Sequence, residues 1–189
     1  MHKMKGDNLP SLQKLIVLHL SENEPRTKNE TKDALSKHYK PTWMAFKSLE
    51  KKNLIKQTAI KEYAGREYPS YWLTDEGIMM ALVEGANSKK LLKQTKTIYP
   101  ENKTAHCFLE IIPLFDPQVI RMAYSSVKGK GALGIREIIM LFLSQPSIAM
   151  DRKAAKKITF ILKKYPKEYN IFKRTIQTMI DQLRQLITE

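Results

Sequence analysis

Thr42-Trp-Met-Ala-Phe-Lys-Ser-Leu-Glu-Lys-Lys52, followed by Asn53-Leu54-Ile55, is the stretch on which the fold turns. At about 100° per residue, Thr42, Ala45, Phe46 and Leu49 gather on one side of a helix, while Met44, Lys47, Ser48 and Lys51 lie opposite with Trp43 on the flank. The first set is expected to face a core. The second offers what a helix in a DNA major groove needs: lysines for phosphate or guanine, a hydroxyl for either, and apolar atoms for a thymine methyl. The helix is expected to open at Pro41 or Thr42, because the residue before a proline resists helical dihedrals. Asn53 stands where it ends, and asparagine is second only to glycine in the left-handed conformation of a helix cap.

Upstream, Leu12, Leu15, Ile16, His19 and Leu20 recur at helical spacing, with Pro10 near the first turn. His19 lies on that apolar stripe and is expected in or beside the core, since no other metal-ligand type stands at coordinating distance in sequence. Thr27-Lys-Asn-Glu30 has the form of a capping box and opens a second, short helix with Thr31, Ala34 and Leu35 inward. Downstream, Ile55 to Tyr63 and Tyr68 to Leu73 have the β-branched and aromatic content of strands, joined by a turn at Ala64-Gly65-Arg66-Glu67. Pro69 makes the start of the second strand an edge. Thr74 caps a fourth helix, with Asp75 and Glu76 favourably placed at its N-terminal dipole.

Three helices, a hairpin and a helix follow in the winged helix-turn-helix order, and two motifs carry a resemblance. Leu49-Glu-Lys-Lys-Asn-Leu-Ile55 resembles the Leu-x-x-x-Gly-Leu-Ile junction of that superfamily, with Asn53 where glycine is usual, and Tyr71-Trp-Leu-Thr-Asp-Glu-Gly77 resembles its strand-to-helix corner. Residues 9–85 are thus similar to the small winged-helix regulators of the MarR and PadR kind. The resemblance implies that the third helix enters the major groove and that the hairpin, or wing, touches the backbone or minor groove. Lys40, Thr42, Trp43, Met44, Lys47, Ser48 and Lys51 are then DNA-binding candidates, with Lys61 and Arg66 on the wing; Tyr39, Lys40 and Thr42, at the turn before the helix, are expected near phosphates, although Thr42 could instead be the N-cap of its helix.

Beyond residue 86 the chain is expected to be all helical, which makes the whole mainly α with a small β-hairpin. Residues 87–104, rich in lysine, read as a basic linker or helix extension, and residues 105–189 as a helical domain. Gly129-Lys-Gly-Ala-Leu-Gly134 lacks both the Walker pattern and a preceding strand, so it reads as a helix-breaking loop. Met150 to Tyr165 sets Arg152, Lys153, Lys156, Lys157, Lys163 and Lys164 opposite Ile158, Ile161 and Leu162: a basic amphipathic helix suited to DNA, to anionic lipid, or simply to water. Pro166 ends it. From about Tyr169, Phe172, Ile176, Met179, Leu183 and Leu186, broadened by Ile180 and Ile187, form a seam for another helix of the same chain or of a second copy, the latter giving a homodimer.

The formal charge of +14 points to a polyanionic partner, and both halves contribute, residues 1–90 with +5 and residues 91–189 with +9. The single cysteine, Cys107, cannot close an intramolecular disulfide; with no membrane-length apolar run and no signal-peptide pattern at the start, a cytoplasmic setting is expected. Four histidines and one cysteine, in no catalytic or metal-binding spacing, indicate neither an enzyme nor a cofactor or metal site. The sequence therefore points to a transcriptional regulator that binds double-stranded DNA, with a winged-helix protein-interaction adaptor or a non-specific chromatin or replication protein as alternatives. It says nothing about the operator or a small-molecule effector.

Overall fold

The computed structural model describes residues 9–129 and 133–188. The first helix, α1 (Ser11–Glu22), leads into a two-residue strand, β1 (Arg26–Thr27), and then α2 (Lys28–Ala34) and α3 (Tyr39–Lys51). The hairpin strands β2 (Ile55–Tyr63) and β3 (Arg66–Leu73) follow, then α4 (Asp75–Val83). The remainder is helical: α5 (Ser88–Ile98), α6 (Lys103–Ile111), a 3-10 turn (Ile112–Leu114), α7 (Pro117–Val127), α8 (Ile135–Ser144), α9 (Pro146–Met150), α10 (Arg152–Lys163) and α11 (Pro166–Thr188). The chain is thus mainly helical with one small antiparallel sheet in the order β1-β3-β2.

The capping box forms as expected. Glu30 N–H donates to Thr27 Oγ1 at 3.1 Å, and Thr27 N–H donates to Glu30 Oε2 at 2.6 Å. Of the inward face expected for α2, Thr31 is buried and Leu35 half-buried, but Ala34 is exposed, because the helix ends there and turns away through Ser36 at φ 50°. The third helix begins at Tyr39, earlier than expected. Pro41 sits in its first turn, where a backbone N–H would have had no intrahelical partner to lose. Thr42, Ala45, Phe46 and Leu49 are its buried side. Asn53 closes it in the left-handed region, at φ 55°.

The hairpin turn is tighter than the four residues expected. Ala64 and Gly65, both at positive φ, are its only two loop residues, and Tyr63 pairs with Arg66 across it. Pro69 lies in β3, the central strand, at a position not yet flanked by β1, which pairs only with Ser70 and Tyr71. Its missing N–H therefore leaves no ladder bond unmade on that side. Trp72 is fully buried and its indole N–H donates to the carbonyls of Leu20 at 2.7 Å and Asn23 at 3.0 Å, which ties the sheet to the end of α1.

The strand-to-helix corner is closed by two contacts. Thr74 Oγ1 accepts the Gly77 N–H at 3.0 Å and donates to the Asn53 carbonyl at 2.5 Å. Gly77 itself meets the backbone of Leu54 so closely that a Cβ there would lie 1.8 Å from the Leu54 oxygen. The end of α3 and the start of α4 are thus clamped on each other through residues 53, 54, 74 and 77.

Residues 88–98 are a folded helix rather than a linker. Leu91 and Thr95 of α5 are buried, and α5 packs against α1 and α6. α4 in turn packs on α7. One continuous apolar core includes Ile16, Phe46 and Trp72 from the first half and Phe108, Ile138 and Ile161 from the second. Pro166 does more than end the preceding helix, since it opens α11. No helix among the described residues is long and apolar enough to cross a membrane.

Candidate nucleic-acid interface

Lys40, Met44, Lys47 and Lys51 follow one another at steps of four, three and four along α3, and all are exposed. Met44 shows 55% of its surface and Trp43 beside it 37%. Lys47 Nζ stands 5.4 Å from the Trp43 ring centroid, within cation–π distance. The one acid of the helix, Glu50, is turned toward Lys28, at 3.7 Å. The line of α3 is therefore basic and apolar without an intervening carboxylate.

Two candidates of α3 do not belong to this face. Thr42 is fully buried, neither a phosphate contact nor an N-cap: its hydroxyl donates to the His38 carbonyl at 2.9 Å, because the helix started three residues earlier and placed Thr42 inside its first turn. Ser48 is half-buried and its Oγ accepts from Gln13 Nε2 at 3.1 Å, so its hydroxyl serves the α1–α3 contact.

In the hairpin, cross-strand partners share a face. Lys61 pairs with Tyr68 and Tyr63 with Arg66, so these four look to one side; Glu62, opposite Glu67, looks to the other together with Ile60. The first side is the one turned toward α2 and α3. Tyr68 and Pro69 line a cleft of about 220 Å³ with Thr27, Lys28, Asn29, Tyr39 and Trp43. Arg66 shares the side of the hairpin that carries Tyr68, and the wing glutamates lie on the other.

Lys61 is on the right side but is engaged. Its ammonium is 2.9 and 3.1 Å from the two carboxylate oxygens of Glu30, and Tyr63 donates its hydroxyl to Glu30 Oε1 at 2.8 Å. Burial alone would raise the Glu30 pKa; the Thr27 N–H, then Lys61 and Tyr63, outweigh it and hold the carboxyl at about 2. Lys61 is a strut between wing and α2 and not a free contact. Tyr39, expected near phosphates, lines the cleft, in the first turn of α3. Lys28, Asn29 and Tyr68 were not among the sequence candidates for the interface, and no motif singled them out.

Outside this region the candidates divide. Arg152, Lys153, Lys156, Lys157 and Lys163 are exposed on α10, whereas Lys164 is bound to Glu110 at 3.0 Å. Phe172 of the expected seam is used within the chain, its ring 5.3 Å from that of Phe142 on α8. Ile176 and Met179 are half-buried and Ile180 is exposed, while the side chains of Leu183, Leu186 and Ile187 lie outside the described residues. His19 is half-buried as expected, its pKa lowered by burial and then by Arg26. Of Gly129-Lys-Gly-Ala-Leu-Gly134, residues 130–132 lie outside the described residues; Gly129 N–H donates to Glu76 Oε1 at 3.2 Å and Leu133 N–H to Asp75 Oδ2 at 3.0 Å. Asp75 and Glu76 at the start of α4 thus accept from the backbone of the described residues Leu133 and Gly129.

No protein-family model matches this chain, and no curated protein matches it in sequence.

Proposed function

We propose that this chain is a winged-helix regulator that binds double-stranded DNA, with α3 in the major groove and the β2–β3 hairpin as the wing on the backbone or minor groove. The observation that carries the proposal is the acid-free line Lys40, Met44, Lys47 and Lys51 on α3, placed beside the Arg66 side of the hairpin. Lysines on such a line reach phosphates and guanine edges, and Met44 and Trp43 supply apolar surface for thymine methyls and sugars. The order of elements from α1 to α4, the clamp at Gly77 and the strut at Lys61 support it further. They hold the reading helix and wing in one fixed relation, and pre-organisation of that kind reduces the cost of binding.

The test is selection of binding sites from random duplexes by the full chain, followed by titration of the selected site at several salt concentrations. A defined motif is expected. Lys47→Ala together with Arg66→Ala is expected to weaken binding and to lower the slope of log affinity against log salt by about 2, roughly 0.9 for each phosphate that is no longer neutralised. An unchanged slope and affinity would show that α3 and the wing are not the interface.

A further inference from the structure

α10 (Arg152–Lys163) contains no acidic residue; the nearest, Asp151, is spent as its N-cap, accepting from Lys153 N–H at 2.8 Å and Ala154 N–H at 3.2 Å. Ile158, Ile161 and Leu162 are buried, and they point toward α6 and α11. Arg152, Lys153, Lys156, Lys157 and Lys163 occupy the opposite side, within an arc of roughly 140° at about 100° per residue. Among the described residues none of these five has a carboxylate partner. Phe160, 65% exposed, lies in the middle of the arc. Lys164 folds over its ring at 5.0 Å while paired with Glu110.

An ordinary solvated helix face alternates charge signs at four-residue steps, because like charges at that spacing repel. Here Arg152 and Lys156, and Lys153 and Lys157, are like-charged pairs at that spacing. A regular polyanion removes the repulsion. Duplex DNA carries one charge per about 1.7 Å of axis, so a helix of 12 residues, about 18 Å long, runs beside about ten phosphates. A membrane-surface helix, by contrast, lays its apolar stripe among the lipids, and the stripe of α10 is already enclosed by the protein's own core.

We infer that the outward face of α10 is a second DNA-contacting surface, which grips the phosphate backbone of a duplex without reading its bases. The inference rests on the proposed function for its ligand class, though not on α3 being the reader. Arg152, Lys153, Lys156 and Lys157 supply the charge, and Phe160 gives the sugar edge an apolar seat. Binding energy from this face raises affinity for any duplex and leaves site choice to α3.

The experiment is fluorescence anisotropy of the full chain with the selected site and with a scrambled duplex of equal length, each from about 50 to about 200 mM salt. The variant Arg152→Gln, Lys153→Gln, Lys156→Gln, Lys157→Gln is expected to lower the salt slope by about 3 to 4 on both duplexes, so that wild type loses about a hundredfold more affinity than the variant across that range. Its preference for the selected site is expected to stay. The charge-keeping variant Arg152→Lys, Lys153→Arg, Lys156→Arg, Lys157→Arg is expected to keep the wild-type slope, which separates charge from folding. If the glutamine variant keeps the wild-type slope, the inference is overturned while the α3 proposal stands. If it instead loses adhesion to phosphatidylcholine vesicles containing phosphatidylserine, with DNA binding unaltered, α10 is a lipid surface and the inference is again overturned. Wild type that binds both duplexes equally, with a slope reduced in the glutamine variant, supports the inference and refutes sequence reading by α3.

Discussion

Replacing Gly77 by alanine adds a single methyl group at the point where the end of α3 is joined to the start of α4. The new Cβ would stand 1.8 Å from the Leu54 oxygen, 2.9 Å from the Leu54 carbon and 3.3 Å from Leu73 Cβ. The first two are backbone atoms, so no side-chain rotation relieves the overlap; the start of α4 has to retreat by on the order of 1 Å. Two hydrogen bonds cross that gap, Thr74 N–H to Leu54 O at 3.1 Å and Thr74 Oγ1 to Asn53 O at 2.5 Å, and a third beside it, Gly77 N–H to Thr74 Oγ1 at 3.0 Å, caps α4 at the displaced residue. At about 1 kcal/mol each, the last counted as a helix cap, their removal costs about 3 kcal/mol. Urea unfolding measures it, followed by the fluorescence of buried Trp72 in a Trp43→Phe background that removes the exposed indole. With a urea dependence of about 2 kcal/mol per molar, the midpoint is expected to fall by about 1.5 M. Gly85→Ala is the control. Gly85 also has a positive φ, 95°, but nothing lies within 4 Å of its added Cβ, so only backbone strain of about 1 kcal/mol is expected. A Gly77→Ala protein as stable as Gly85→Ala, or more so, would refute the clamp.

Two further outcomes concern Glu30 and Cys107. Glu30 in the folded chain titrates at about 2 against an ordinary 4.5, so its stabilising contribution is complete above about pH 4.5 and is lost as the pH falls toward 2. The stability difference between wild type and Glu30→Gln, measured by unfolding at several pH values, is expected to shrink across that window; a difference independent of pH would contradict the strut. Burial, reinforced by Glu168 and Glu110, pushes the Cys107 thiol up to about 12. A thiol reagent at mildly alkaline pH is therefore expected to label it only as fast as the core opens, and immediate labelling would show that α6 is not packed as described.

The parts of the fold that were legible in the residues are those decided locally. The Thr27–Glu30 box, the Asn53 cap, the Thr74 cap and the buried side of α3 each depend on neighbours a few positions away. The parts that were not legible depend on distant ones. β1 is two residues long and exists because Tyr71 and Ser70 lie beside it. α5 has only Leu91 and Thr95 buried among a run of lysines, a stripe too thin to distinguish from a solvated tail until α1 and α6 cover it. Lys61 looked free because Glu30, which binds it, is 31 positions earlier. Thr42 fitted both a core position and an interface position, and the start of α3 at Tyr39 decided for the core.

Asp75 and Glu76 have a consequence for how the chain can be divided. Asp75 accepts from Asn102 Nδ2 at 2.9 Å and from the Leu133 N–H, and Glu76, only 4% exposed, accepts from the Gly129 N–H. A chain cut after residue 86 would remove the hydrogen-bond partners of both side chains and strip the cover that α5 and α7 lay over α1 and α4. The first half is accordingly not a cassette that can be grafted onto another protein, because the cover over its α1 and α4 is supplied by α5 and α7 of the second half.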